Sequence, residues 1–181
     1  MFATEFDELL DNNYKSVELV PENLVSAIDE LNQWVYDDIN NGVYKCGIAS
    51  TQEAYEKNVK KLFQSLDRVE QALKDSDGPY LFGNQLTGAD LRLFPTVVRF
   101  DPVYVLLFKT NIRDIRSGYP AIHKWLRHLY WDVPVFHETT NFEHIKSHYF
   151  AGLKLVNPLG IIPVGPVPNI SQKEESIIAA R

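Results

Sequence analysis

Nine tyrosines and a single cysteine carry most of the chemistry open to this chain. A phenol offers a flat ring on which an aromatic ligand can stack, and a hydroxyl that can give or take a proton. Three tyrosines stand in unusual local settings. Tyr44 lies in Gly42-Val43-Tyr44-Lys45-Cys46-Gly47, a glycine-bearing connection where packing demands are weak. Tyr104 follows Arg99-Phe100-Asp101-Pro102-Val103, at the far end of a proline-containing helical segment. Tyr149 closes His144-Ile145-Lys146-Ser147-His148-Tyr149, just ahead of a proline-rich stretch. Residue physics alone favours a core or rim packing role for each, with a catalytic acid as the sharper alternative.

Cys46 follows Lys45, a cation that could lower its pKa and make it reactive. The plainer reading is a small, partly buried residue near a turn. His144 and His148 are four apart and could share a helix face. Without a nearby carboxylate pattern, a partly exposed face is the better reading, so no metal site is expected. A glycine-rich phosphate loop and a cysteine cluster are lacking.

These side chains must be positioned by helices. After Pro21, Leu24, Ile28, Leu31, Val35 and Ile39 form one stripe on a 3.6-residue period, which Asn40-Asn41-Gly42 should end, with Gly42 left-handed. Ser50 and Glu53 predict a capping box opening a second helix. Its residues Tyr55, Val59, Leu62, Leu66, Val69 and Leu73 make a heptad seam suited to an antiparallel partner. Thr87 and Asp90 predict a second capping box and a third helix, kinked at Pro95. Pro120 suits the first turn of a helix carrying Ile122, Trp125, Leu126 and Leu129. A short helix is expected between Phe142 and Leu153.

The stretch from Asn157 to Pro168 holds four prolines and two glycines and reads as an extended arm with apolar Leu159, Ile161, Ile162 and Val164. No alternating strand and no βαβ unit stands out. The expectation is an all-α bundle of five to seven helices: a linker segment over 1–20, a helical domain over 21–156, and an arm with a frayed polar tail over 157–181.

Bulk properties narrow the partners. A net charge of -6 argues against nucleic acid, whose phosphates such a surface would repel. No apolar run nears the ~18 residues of a membrane span. One cysteine forbids an intramolecular disulfide and fits a reducing compartment, with the cytoplasm as the expected site.

Four stretches are more specific than any of these patterns. They are Asn40-Asn41-Gly42-Val43-Tyr44-Lys45-Cys46-Gly47-Ile48-Ala49, Arg99-Phe100-Asp101-Pro102-Val103-Tyr104, His144-Ile145-Lys146-Ser147-His148-Tyr149, and Asn157-Pro158-Leu159-Gly160-Ile161-Ile162-Pro163-Val164-Gly165-Pro166. In this order, with the helix start Leu86-Thr87-Gly88-Ala89-Asp90, they resemble the C-terminal domain of the glutathionyl-hydroquinone reductases. These are the Xi-class or omega-like glutathione transferases, and the likeness is to fungal members over nearly the whole chain.

The resemblance implies a reaction, a partner set and roles. A cysteine thiolate in an N-terminal thioredoxin-like domain attacks a thioether sulfur, and a tyrosine protonates the leaving aromatic carbon. Carried over by motif, that tyrosine is Tyr44, while Tyr104 and Tyr149 match tyrosines that lower the pKa of the cysteine. Glutathione is the co-substrate, its main site lying in the thioredoxin-like half, and a quinone-like aromatic is the substrate. A homodimer is expected. No thioredoxin-like segment precedes the helical part, so this chain alone is expected to be inactive. A non-catalytic binding or dimerisation module is the alternative, and a ligandin-like carrier of aromatics is a third.

Overall fold

The computed structural model describes residues 7–11, 17–166 and 170. Residues 1–6 and 12–16 of the expected linker segment, the Pro168 end of the arm and the polar tail over 171–181 lie outside the described residues.

The first apolar stripe builds α1, Val25–Val35, but the chain does not stop at Gly42. It widens into a π-helical turn over Tyr36–Asn40, marked by the Asn41 amide bonding the Tyr36 carbonyl five residues back, at 2.9 Å. It then re-forms α2, Gly42–Gly47. Gly42 is therefore a buried helical residue and not the expected left-handed cap; the left-handed glycines of the described chain are Gly83 and Gly160.

Helix α3, Gln52–Asp75, starts one residue later than expected: Thr51, not Ser50, is the cap, its hydroxyl accepting from the Ala54 amide at 3.1 Å. Thr51 holds the extended backbone a cap requires, which puts its hydroxyl over the free amides. The heptad seam is buried as expected from Val59 to Leu73, widened by Phe63 and Glu70. Helix α3 packs against α2 and against the later helix α7, Pro120–Asp132.

The Thr87–Asp90 capping box opens α4, Gly88–Arg99, which runs through Pro95 to Arg99. Asp90 is fully buried and serves more than the cap. One carboxylate oxygen accepts from the Thr87 amide (3.0 Å) and hydroxyl (3.1 Å), the other from the Leu81 amide (3.0 Å) and the Trp125 indole (2.9 Å). A buried carboxylate is tolerated because every lone-pair direction meets a donor.

After α4 a second π turn, Phe100–Tyr104, leads into the short α5, Val105–Leu107. Pro102 inside that turn lacks an amide donor, so the α ladder loses a bond where the turn widens. Next come α6, Ile115–Gly118, and α7, Pro120–Asp132, with proline in the first turn as expected. Two carboxylates from earlier elements cap them. Asp101 accepts from the Ile115 and Arg116 amides, and Glu70 from the Ala121 and Ile122 amides. The bundle closes with α8, Pro134–Glu138, α9, Phe142–Lys146, and a third π turn, Ser147–Ala151.

The fold is an all-α bundle, in more pieces than the expected five to seven because π turns divide the longer segments. Between α3 and α4 the chain makes only isolated bridges, Tyr80 with Gly83 and Phe82 with Gln85. The arm begins where Asn157 donates to the Phe150 and Ile161 carbonyls, and Lys146 holds it farther on through the Val164 carbonyl at 2.9 Å. Its Leu159, Ile161, Ile162 and Val164 side chains are exposed.

Candidate active site

Each of the three π turns delivers one tyrosine to a common point. Tyr44 sits on α2 directly after the first turn, Tyr104 ends the second, and Tyr149 lies inside the third. Single wide turns of this kind recur at functional sites, because the extra residue re-aims the side chains beyond it.

The hydroxyls form a chain with Tyr149 in the middle, 2.6 Å from Tyr44 and 2.8 Å from Tyr104. Three hydroxyls hold three protons and the two bonds use two, so one O–H is spare. Tyr104 is buried at 2 % exposure and Tyr149 at 6 %, whereas Tyr44 is 39 % exposed. A run of donation from Tyr104 through Tyr149 to Tyr44 satisfies the buried end and presents the spare O–H at the exposed end. Burial pushes the Tyr149 phenol up to about 12 and that of Tyr104 higher still, with the neighbouring phenols adding to the shift of Tyr104. Both stay protonated at neutral pH and act as neutral donors.

The rings are as closely set as the hydroxyls. Tyr44 and Tyr104 have centroids 6.1 Å apart, and Tyr104 and Tyr149 stand edge to face at 5.4 Å. Phe108 lies among them, parallel to Tyr104 at 5.3 Å. Together they make a buried aromatic cluster with one polar seam, and of its rings Tyr44 is the exposed one.

Cys46, two residues from Tyr44, does not join this site. Its side chain is buried, and burial pushes its thiol up to about 11. Burial is the cause of that shift, and the Lys45 ammonium donates to the Asp37 carbonyl at 2.8 Å. The plainer reading of Cys46, a small, partly buried residue near a turn, is the nearer one: it is a buried core residue in α2. His144 belongs to α9, and His148 to the π turn that follows it, with its ring edge-on to Tyr149. Among the described residues no group of three His, Cys, Asp or Glu side chains could hold a metal ion. No helix among them is long and apolar enough to cross a membrane.

Sequence reasoning missed Phe108 and Gly47. A Cβ added at Gly47 would overlap the Phe108 ring, so α2 can bring Tyr44 against that ring only where residue 47 has no side chain. The available signal was a glycine closing a helix three residues after a candidate tyrosine.

Residues 52–128 match the family model described as glutathione S-transferase, C-terminal domain. The chain carries a glutathione S-transferase C-terminal domain. It is 56 % identical over 171 residues to glutathione S-transferase omega-like 2 of Schizosaccharomyces pombe, covering 94 % of this chain and 55 % of that protein. The structure of glutathione S-transferase Xi from Phanerochaete chrysosporium superposes with a TM-score of 0.89 at 56 % identity, over 93 % of this chain and 53 % of the other. The glutathionyl-hydroquinone reductase YqjG of Escherichia coli is 49 % identical over 95 % of this chain and 50 % of its own length. Its glutathione-bound structure superposes with a TM-score of 0.87 at 47 % identity, over 99 % of this chain and 56 % of the other. The chain spans about half the length of the curated relatives it matches.

Proposed function

We propose that this transferase domain is the substrate-binding half of a glutathione-dependent enzyme that reduces glutathionyl-hydroquinones. The observation that carries this reading is the hydroxyl chain of Tyr44, Tyr149 and Tyr104, at 2.6 and 2.8 Å, ending at an exposed phenol in an aromatic cluster. The name of the Escherichia coli relative supports it, as does glutathione bound in that relative's structure.

In the proposed reaction a cysteine thiolate from a thioredoxin-like half attacks the thioether sulfur of the glutathionyl-hydroquinone. A mixed disulfide with glutathione forms, the carbon–sulfur bond breaks, and its electron pair stays on the aromatic carbon. Tyr44 protonates that carbon, and the hydroquinone leaves. A second glutathione then returns its thiol proton to the Tyr44 phenolate and attacks the mixed disulfide through sulfur, giving oxidised glutathione and the restored thiolate. Glutathione thus enters as co-substrate, its main site lying in the thioredoxin-like half.

Tyr149 and Tyr104 support the reaction through the chain, each donating to the next phenol so that the O–H left over stands at the exposed end. A thiolate in a partly dry site is stabilised by O–H groups aimed at it, which lowers its pKa. Because the three phenols have one spare O–H between them, that stabilisation and the proton delivered by Tyr44 draw on one connected chain. Buried Cys46 supplies no thiolate, so turnover needs the thioredoxin-like half and this chain by itself is inactive. The exposed apolar residues of the arm fit a homodimer, and the cytoplasm supplies the reduced glutathione the reaction consumes.

The test is turnover of a glutathionyl-hydroquinone with glutathione, measured on this chain and on the chain joined behind the thioredoxin-like half of a full-length relative. Activity confined to the joined protein is the expected result. Activity of the chain alone would give Cys46 the nucleophile's role. Silence in both, with the joined protein folded and binding glutathione, would favour a binding module.

A further inference from the structure

We infer that Phe108 is a positioning residue of the tyrosine site, a wedge that sets the relative orientation of the three phenols. This rests on the function proposed above. The three tyrosines come from separate elements, α2 and two π turns, and their hydroxyls meet only if the rings are held at fixed angles. Phe108 touches all three. It lies parallel to Tyr104 (5.3 Å, 7°), tilted against Tyr44 (5.2 Å, 56°) and edge-on to Tyr149 (6.1 Å, 80°).

Two further features hold the wedge in place. Gly47 leaves the notch in α2 that the ring occupies, where any Cβ would overlap it. On the other side the chain turns sharply at Lys109, a non-glycine residue with a left-handed φ of 59°. Such a conformation persists only where surrounding contacts enforce it. Here the Tyr55 hydroxyl from α3 donates to the Lys109 carbonyl at 2.7 Å, and the Phe108 and Thr110 amides both donate to the Tyr104 carbonyl, at 3.0 and 3.2 Å. The backbone that carries Tyr104 is thus the one that fixes Phe108, and the ring is fully buried. Phe108 has no polar atom and performs no step itself.

The test uses the chain joined to a thioredoxin-like half, assayed with glutathionyl-hydroquinone and glutathione. Phe108→Leu is compared with Phe94→Leu, a buried core ring packed on Trp125 and Phe136 away from the tyrosines. A displacement of the hydroxyls near 1 Å predicts a kcat loss of about tenfold to a hundredfold. KM for glutathione should stay within about twofold, since the interaction lost belongs to the chemical step. The pH profile of kcat should also shift for Phe108→Leu and stay in place for Phe94→Leu. Phe108→Met, a side chain of similar volume but unbranched and more adaptable, should behave as Phe108→Leu does and serves if the leucine variant does not fold. Parental kcat and pH profile in the Phe108 variants, a loss matched by Phe94→Leu, or failure of both Phe108 variants to fold would overturn the inference and leave Phe108 a plain core residue. Tyr44→Phe in the same protein separates the two readings. If it loses turnover while the Phe108 variants keep theirs, only the wedge falls; if it keeps full turnover, the role of Tyr44 falls and the wedge with it; a joined protein that is silent before any substitution removes the proposed function itself.

Discussion

The hydroxyl of Tyr149 lies 2.6 Å from that of Tyr44, a residue 105 positions earlier in the chain. The bond joins the middle of the hydroxyl chain to its exposed end, so the Tyr44 hydroxyl is coupled to two buried phenols. Four measurements follow from this arrangement and the packing that supports it.

Tyr44→Phe removes one hydroxyl and little volume. In the chain joined to a thioredoxin-like half, kcat for glutathionyl-hydroquinone should fall by about 10²–10⁴, the usual range for loss of a general acid. Melting temperature should barely move. Steady-state kinetics beside a thermal melt check both, and unchanged turnover would remove Tyr44 from the reaction.

Buried phenols make stability fall at alkaline pH. The folded Tyr149 titrates near 12 against 10.0 for the ordinary phenol, and Tyr104 above that. Between pH 10 and 12 the unfolded chain therefore binds fewer protons than the folded one, and unfolding becomes easier as pH rises. The stabilisation is fully present below pH 10. Urea midpoints at pH 8 and pH 11 should differ in that direction, and Tyr149→Phe should flatten the slope. A midpoint independent of pH over this range would contradict the burial of these hydroxyls.

Asp90→Ala strands the Trp125 indole N–H and the Leu81 and Thr87 amides inside the bundle. Each unsatisfied buried donor costs about 1–3 kcal/mol, so the variant should lose about 3 kcal/mol or more. Thr87→Ala should cost about 0.5–2 kcal/mol through the weakened cap. The double variant should lose less than the sum, because both act on one network. Chemical denaturation of the three proteins decides, and a loss below 1 kcal/mol for Asp90→Ala would show that the network contributes little.

Cys46 should resist thiol reagents in the folded chain. With its thiol pushed up to about 11, almost none is thiolate at pH 8. Colorimetric labelling should be slow natively and rapid in denaturant, with one thiol counted. Rapid native labelling would mean that Cys46 is reachable after all.

Much of the fold was legible because helices announce themselves locally. The 3.6-residue stripes of α1 and α3, the Thr87–Asp90 box and the Pro120 start depend on neighbours within a few positions, and the structure bears them out. Local signals also misled where two similar residues competed. Ser50 and Thr51 are both good caps, and only the backbone conformation at Thr51 chose between them. Gly42 follows two asparagines, an ordinary stop signal, yet the π turn lets the helix continue, because the segment buries Val43 and Cys46 against the core.

What the residues of the chain determined by themselves is the all-α bundle, the motifs that carry the family likeness and the three tyrosines within them. What only the tertiary structure decided is that these tyrosines meet. A π turn has no strong sequence signature, since one widened turn depends on packing around it and not on the residue types inside it. The wedge of Phe108, the notch at Gly47 and the left-handed turn at Lys109 are likewise contacts between distant segments, and no local pattern encodes them.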